Sequence, residues 1–282
     1  MVTENIMKTI QPYFVMATPK YHKGIVMNYG ILHFYDYYKN TELENRVMVV
    51  PDGCIDIMFE KDASGIKARV AGTVLEKTMV ENKNGKEYFG VRFLAGELPA
   101  IVTADMKDFV QNEINLEDVM QDKDFLKRME EAYDQGKWME GFLKLYKEAF
   151  DKATSSVKRG NTGQLVKYMK NQIISTNGNV AVSELAEQTG YTERYINKVF
   201  KQSMGINPKT FGMIMKFQKV IQKINREEEC KLTDIGADVG YYDQSHFIRD
   251  FKKFAALTPK EYRKMILEND YNRRLSVKKV QE

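Results

Sequence analysis

Between residues 31 and 102 the apolar positions come in short runs, HFYDYY, RVMVV, CIDIMF, ARVAGTVL and EYFGVRFL, separated by turn formers such as Pro51-Asp52-Gly53 and Asn84-Gly85. Runs of that length, rich in Val, Ile, Phe and Tyr, predict strands. Asn84-Gly85, between KTMVE and EYFGVRF, predicts a hairpin, because Asn-Gly tolerates the positive φ of a tight turn. From about Pro99 the spacing changes to three and four residues and stays there, which predicts helices. One covers Asp122 to Tyr133; the next runs from Lys137 to about Thr154 and places Trp138, Phe142, Leu145 and Ala149 in one stripe. That stripe packs against the strands or pairs with a second copy, and spacing alone does not separate the two. Ser155 to Gly163 (SSVKRGNTG) is small and polar, the best linker in the chain. The predicted class is α+β. A β-rich, barrel-like domain fills residues 1–160, with strands to about 98 and helices over 99–158; an all-α domain follows over 161–270, and a basic tail over 271–282.

The helical half repeats itself. Leu185-Ala186-Glu187-Gln188-Thr189-Gly190-Tyr191 is echoed fifty residues later by Ile235-Gly236-Ala237-Asp238-Val239-Gly240-Tyr241. Phe200-Lys201 returns as Phe251-Lys252, and Pro208-Lys209-Thr210-Phe211 as Pro259-Lys260-Glu261-Tyr262, one residue further on. Each unit reads as a helix-turn-helix. A short helix ends at a glycine free to turn left-handed, Gly190 or Gly240, and Thr192 or Asp243 then caps a second helix. On that second helix Ile196, Val199 and Phe200, or Phe247, Phe251 and Phe254, take one face. The other face carries Arg194, Asn197, Lys198 and Lys201 in unit one, and Gln244, Ser245, Ile248, Arg249 and Lys252 in unit two. These side chains suit base edges in a major groove: Arg or Lys to guanine, Asn or Gln to adenine, an aliphatic group against a thymine methyl. For a single helix a solvated face is the simpler reading; two copies at fixed spacing favour double-stranded DNA. Pro208 to about Arg226 reads as one long helix, a strut able to hold both units over successive major grooves about 34 Å apart.

Charge sharpens the division. The whole chain carries +4, but residues from 161 onward hold 21 Lys+Arg against 14 Asp+Glu, while residues 1–160 hold 22 against 25. The excess of positive charge therefore lies in the repeat half, where a polyanion would meet it. No run reaches the length of a membrane span and the start has no signal-peptide pattern, so the cytoplasm is the expected compartment, with no membrane partner. Two distant cysteines, Cys54 and Cys230, fit a reducing environment.

The repeat half resembles the carboxy-terminal domain of AraC/XylS transcriptional regulators. The resemblance spans roughly residues 163–266 and is carried by Gly240-Tyr241 through His246-Phe247, by Arg249, by Phe251-Lys252-Lys253 and by Leu257-Thr258-Pro259-Lys260-Glu261-Tyr262-Arg263. It implies base reading by Arg194, Asn197, Lys198, Gln244, Ser245, Ile248 and Arg249, and phosphate contacts by Lys201, Lys216 and Lys252. It also implies RNA polymerase as a partner, transcriptional activation, and a homodimer. Three positions depart from the family pattern: Lys216 stands for Arg, Gly236 for Ala, and Ala256 for Gly. The front half, through Pro51-Asp52-Gly53-Cys54-Ile55-Asp56-Ile57, Gly90-Val91-Arg92-Phe93 and Ile114-Asn115-Leu116-Glu117-Asp118-Val119, resembles an uncharacterised amino-terminal domain found in one branch of these regulators. A sensor for a small-molecule effector is the implied role.

Chemistry in the front half is sparse. His22, His33, Asp52, Cys54 and Asp56 share no ligand spacing, so no metal and no cofactor is expected. No catalytic triad order, phosphate loop or dinucleotide fingerprint occurs, so no catalytic residue is assigned. Tyr35, Tyr37, Phe59 and Arg92 are candidates to line a ligand pocket, against the simpler reading that the aromatics fill the core. Arg92, within a strand, is expected to pair with an internal carboxylate such as Asp56 rather than with an acidic ligand. The rival reading is a metabolite-binding or catalytic protein whose helical half mediates protein contacts.

Overall fold

The structure is a computed structural model and describes residues 7–26, 28–39, 44–156, 161–227 and 229–279. The strands are β1 (Tyr21–Ile25), β2 (Ile31–Tyr38), β3 (Arg46–Val49), β4 (Asp56–Asp62), β5 (Gly65–Ala71), β6 (Thr78–Glu81), β7 (Glu87–Phe93), β8 (Glu113–Asn115) and β9 (Leu275–Lys279). They form a seven-stranded sheet in the order β8-β5-β4-β7-β2-β1-β9, to which the first half of the chain gives every strand but β9, and a two-stranded ribbon of β3 and β6. All pairs are antiparallel except β1 with β9. β8 and β9 are the edges of the large sheet, and a chamber lies between sheet and ribbon.

Strict alternation sorts the side chains of the central strands. Phe34, Ile57, Phe59, Phe89, Val91 and Phe93 point to one face and form a core with the helices α2 (Phe125–Asp134) and α3 (Trp138–Ser156). Trp138 and Phe142 meet Phe34 edge-on at 5.3 and 5.8 Å, so the α3 stripe packs on the sheet. Tyr146, rather than Leu145, continues the buried stripe. Tyr35, Tyr37, Met58, Tyr88 and Arg92 point to the opposite face.

Three sequence expectations change. The turn at Asn84-Gly85 exists, with Gly85 at φ 69°, but the strands flanking it do not pair with each other. β6 joins β3 in the ribbon while β7 joins β2 and β4 in the large sheet, so the turn carries the chain from one layer to the other. Helical structure does not run unbroken from residue 99, since β8 and β9 both lie beyond it. Residues 271–279, read as a basic tail, form the short helix α11 (Tyr271–Arg274) and β9, which adds to the edge of the front sheet beside β1.

The carboxy-terminal half is helical: α4 (Asn161–Ser175), α5 (Val182–Thr189), α6 (Glu193–Met204), α7 (Pro208–Arg226), α8 (Leu232–Asp238), α9 (Gln244–Ala255) and α10 (Pro259–Glu268). Of the stretch read as a linker, Ser155 and Ser156 end α3, Asn161 to Gly163 begin α4, and 157–160 lie outside the described residues. The apolar core does not break there. Met7, Tyr13, Tyr21 and Tyr35 belong to the same buried cluster as Phe211, Met215 and Ile221 of α7. Gln218, fully buried on α7, accepts from the Ile10 amide at 2.8 Å and donates to the carbonyls of Ile10 and Pro51 at 3.2 and 2.8 Å. The short helix α1 (Pro12–Met16) is tied to the other end of the chain, because Arg274 donates to the carbonyls of Met16 and Thr18 at 3.2 and 2.8 Å.

Candidate nucleic-acid interface and ligand chamber

Both repeat units have the local construction their sequence implies. Gly190 closes α5 at φ 72° and Gly240 follows α8 at φ 88°, left-handed conformations that cost glycine nothing. Thr192 accepts from the Tyr195 amide at 3.3 Å and Asp243 from the His246 amide at 2.8 Å, so each second helix begins with a satisfied cap. The buried face of α6 is Ile196, Val199, Phe200 and Met204; that of α9 is Phe247, Phe251, Phe254 and Ala255. The Gly236 departure has a packing reason. A Cβ there would stand 3.2 Å from the Phe247 ring, so the glycine lets the two helices of unit two cross closely.

Arg194, Lys198 and Lys201 on α6, and Gln244, Ser245, Arg249 and Lys252 on α9, are exposed. Asn197 and Ile248 are half-buried beside them, and Asn197 donates to the Glu193 carbonyl of its own helix at 2.9 Å. Arg194, Lys198, Lys201 and Arg249 form no ion pair among the described residues, which leaves their charge available to a partner. Lys216, the third expected phosphate contact, is half-buried on α7. Its ammonium donates to the Gly240 carbonyl at 2.7 Å and lies 4.1 Å from the centre of the Tyr241 ring, and burial lowers its pKa. It clamps the turn of unit two from the connecting helix.

Three exposed tyrosines went unassigned in the sequence. Tyr191, in the turn of unit one, and Tyr195, at the start of α6, stack at 4.9 Å, and Tyr242, 98% exposed, occupies the turn before α9. The signal was available: a Tyr follows the turn glycine in both units, and in unit two a second Tyr follows it, at the inserted residue.

The chamber between sheet and ribbon, about 110 Å³, is lined by Tyr21, Tyr35, Met58, Asp56 and Arg92 from the sheet and by Val49 and Val80 from the ribbon. Gly90 makes room in it, since a Cβ at that position would stand 2.6 Å from the Tyr35 ring and 2.7 Å from the Ile57 carbonyl. Arg92, 5% exposed, bonds Asp56 through Nε at 2.9 Å and Nη2 at 2.6 Å, and Asp52 through Nη1 at 3.0 Å. Strand register dictates the first pairing, because Asp56 and Arg92 are direct neighbours on β4 and β7. Asp52 also accepts from the Cys54 amide at 3.0 Å and from Gln11 at 2.8 Å. Burial raises the Asp52 pKa even so.

Two of the four pocket candidates leave the chamber. Phe59 is on the opposite face, stacked on Phe89 at 4.8 Å, because alternation from Met58 turns it away. Tyr37 is consumed in a cross-strand ladder between Tyr21 and Tyr88, at 5.4 and 5.2 Å, and its hydroxyl accepts from Asn82 at 2.8 Å. Buried Cys54 meets Thr9 at 2.9 Å and burial raises its thiol pKa, so it is held as an unreactive thiol. No group of three His, Cys, Asp or Glu able to hold a metal occurs among the described residues, and no helix there is long and apolar enough to cross a membrane.

Residues 185–265 match the family model described as a helix-turn-helix domain, of the AraC type, and residues 30–115 match a domain of unknown function, DUF6597. An uncharacterized HTH-type transcriptional regulator of Staphylococcus aureus (strain MSSA476) is 31% identical over 84 residues, 30% of this chain and 11% of the relative. One from Haemophilus influenzae is 27% identical over 85 residues, 30% of this chain and 28% of the relative. The match thus spans about a tenth to a quarter of these relatives' length. Among solved structures, ToxT from Vibrio cholerae superposes with a TM-score of 0.41 at 12% identity, over 82% of this chain and 97% of that one.

Proposed function

We propose that the chain, which carries an AraC-type helix-turn-helix domain in its carboxy-terminal half, is a sequence-specific DNA-binding transcriptional regulator. The observation that carries the reading is the matched pair of capped helices, α6 and α9, each presenting an unpaired arginine from a strut that both units share. The α7 helix has 19 residues, a rigid spacer of about 28 Å, close to the separation of successive major grooves. Arg194, Asn197, Lys198, Gln244, Ser245, Ile248 and Arg249 read bases; Lys201 and Lys252 hold phosphates. The protein acts by binding rather than by catalysis, in the cytoplasm, as a homodimer that activates transcription through RNA polymerase, in line with its family. A small-molecule effector in the chamber walled by Tyr35 and Arg92 would reach the DNA-binding half through Pro51, whose carbonyl is bonded to Gln218 of α7.

The test compares Arg249→Ala with Lys252→Ala on a selected operator and on random duplex. Arg249→Ala is expected to cost about 1–3 kcal/mol and only on the operator, while Lys252→Ala weakens both duplexes alike and lowers the salt slope by about one. Equal losses from Arg249→Ala on both duplexes would sink the assignment.

A further inference from the structure

A second cavity, about 220 Å³, lies where β1 and β2, the end of α7, α11 and β9 converge. Its charged lining is cationic. Lys8, Lys23 and Arg226 line it, no carboxylate does, and none of the three cations has an ion-pair partner among the described residues. Lys23 touches only the edge of an aromatic contact, 5.9 Å from the Tyr21 ring. Gln222, 8% exposed, leaves its Nε2 with no hydrogen-bond partner. A buried donor without an acceptor is costly and rare, and an acceptor supplied from outside is the simplest reason to keep one. Burial, together with the neighbouring Arg92 charge, lowers the Lys23 pKa to about 7, a penalty that an adjacent anion would remove. The remaining wall is apolar, with Leu32 from the sheet and Leu275 and Val277 from β9. An apolar cavity of about 150 Å³ takes a benzene ring, so this one accommodates a body of about six carbons plus a head group.

We propose that this cavity binds a small organic anion, a carboxylate or phosphate monoester on a short apolar body, with Lys23, Arg226 and Gln222 Nε2 receiving the head group. The chamber beneath the ribbon is unsuited to the same ligand, because its one arginine is already shared by Asp52 and Asp56. The cavity is built from both halves of the chain, so its occupant would tie β9 and α7 to the sheet. The proposal rests on the cavity alone and stands whether or not the chain binds DNA.

Hexanoate, phenyl phosphate and the neutral hexan-1-ol are the probes, each titrated calorimetrically into the full chain and tested for a rise in melting temperature. At least one of the two anions is expected to bind and stabilise, and their relative affinity identifies the head group. Lys23→Met and Gln222→Leu should each weaken that binding at least tenfold, yet melt no lower than the wild type without ligand, since each removes an unpaired polar group. That second readout separates a ligand contact from a structural one. Thr78→Trp, on the wall of the other chamber, should leave the affinity within twofold. The proposal is overturned if neither anion binds, if hexan-1-ol binds as tightly, if both cavity variants bind like the wild type, or if Thr78→Trp abolishes binding.

Discussion

Ala256 ends α9 at φ 52°, a left-handed conformation that places a Cβ against the following carbonyl. The AraC/XylS pattern that the repeat half resembles has glycine at this position, the residue that takes such a φ without strain. Ala256→Gly is expected to stabilise the chain by about 1 kcal/mol, read as a higher denaturant midpoint with unchanged slope; a lower midpoint would mean that the left-handed turn is not where α9 ends. Lys23 makes a prediction of the opposite kind. Its folded pKa, about 7, is depressed below the unfolded value, so between pH 7 and about 9.5 the unfolded state binds more protons than the native one. Stability contributed at this site is therefore gained as pH rises through that window, against the charges that face it, Arg92 and Asp56. The difference in stability between wild type and Lys23→Met should grow in favour of the wild type from pH 7 to 9.5, and a flat difference would place the ammonium in water. Neither energy is legible in the sequence: the glycine-to-alanine departure is visible but its backbone angle is not, and Lys23 lies ahead of the residues whose spacing predicts strands.

At the level of elements, what the sequence displayed best was the helix-turn-helix repeat, because caps, turn glycines and apolar spacing are local and were present twice. What it concealed was partnership. The strands around Asn84-Gly85 have the spacing of a hairpin, but which strand pairs with which is decided by burial on the sheet face, where Tyr88 joins the ladder of Tyr37 and Tyr21. β9 holds Ser276, Lys278 and Lys279, follows Arg273-Arg274 and reads as a tail; it becomes a strand only because the edge of β1 is free to receive it. Lys216 shows the same limit inside the domain read most fully. Its charge suggests phosphate, and what the sequence does not show is that its ammonium also closes the turn between α8 and α9. Lys216→Ala should lower thermal stability by about 1–2 kcal/mol through the lost charged hydrogen bond and ring contact, and weaken DNA binding on every sequence. Unaltered stability with reduced DNA affinity would return Lys216 to the phosphate role.

For the whole molecule, the charge boundary at residue 160 and the packing boundary differ. The amino-terminal segment from Met7 to Met16, the sheet face and α7 share one buried cluster, and Gly53 lets Phe211 and Met215 approach the front half closely, since a Cβ there would stand 3.0 Å from each. An excised fragment of residues 161–270 would leave that side of α7 in water and lose β9. It is expected to melt below the full chain, although its two helix-turn-helix units keep their own caps. Gln218 tests the junction without cutting the chain. Gln218→Leu strands the amide and carbonyl of Ile10 and the carbonyl of Pro51 in the interior, each unpaired group costing about 1–3 kcal/mol before relaxation. If the halves fold as one cooperative unit, scanning calorimetry of the wild type should give a single transition, and Gln218→Leu should lower it and split it as the halves uncouple. A fragment as stable as the full chain, together with an unshifted single transition in Gln218→Leu, would instead make the two halves independent domains that merely touch, and no signal could then pass from the front half to α6 and α9 along α7.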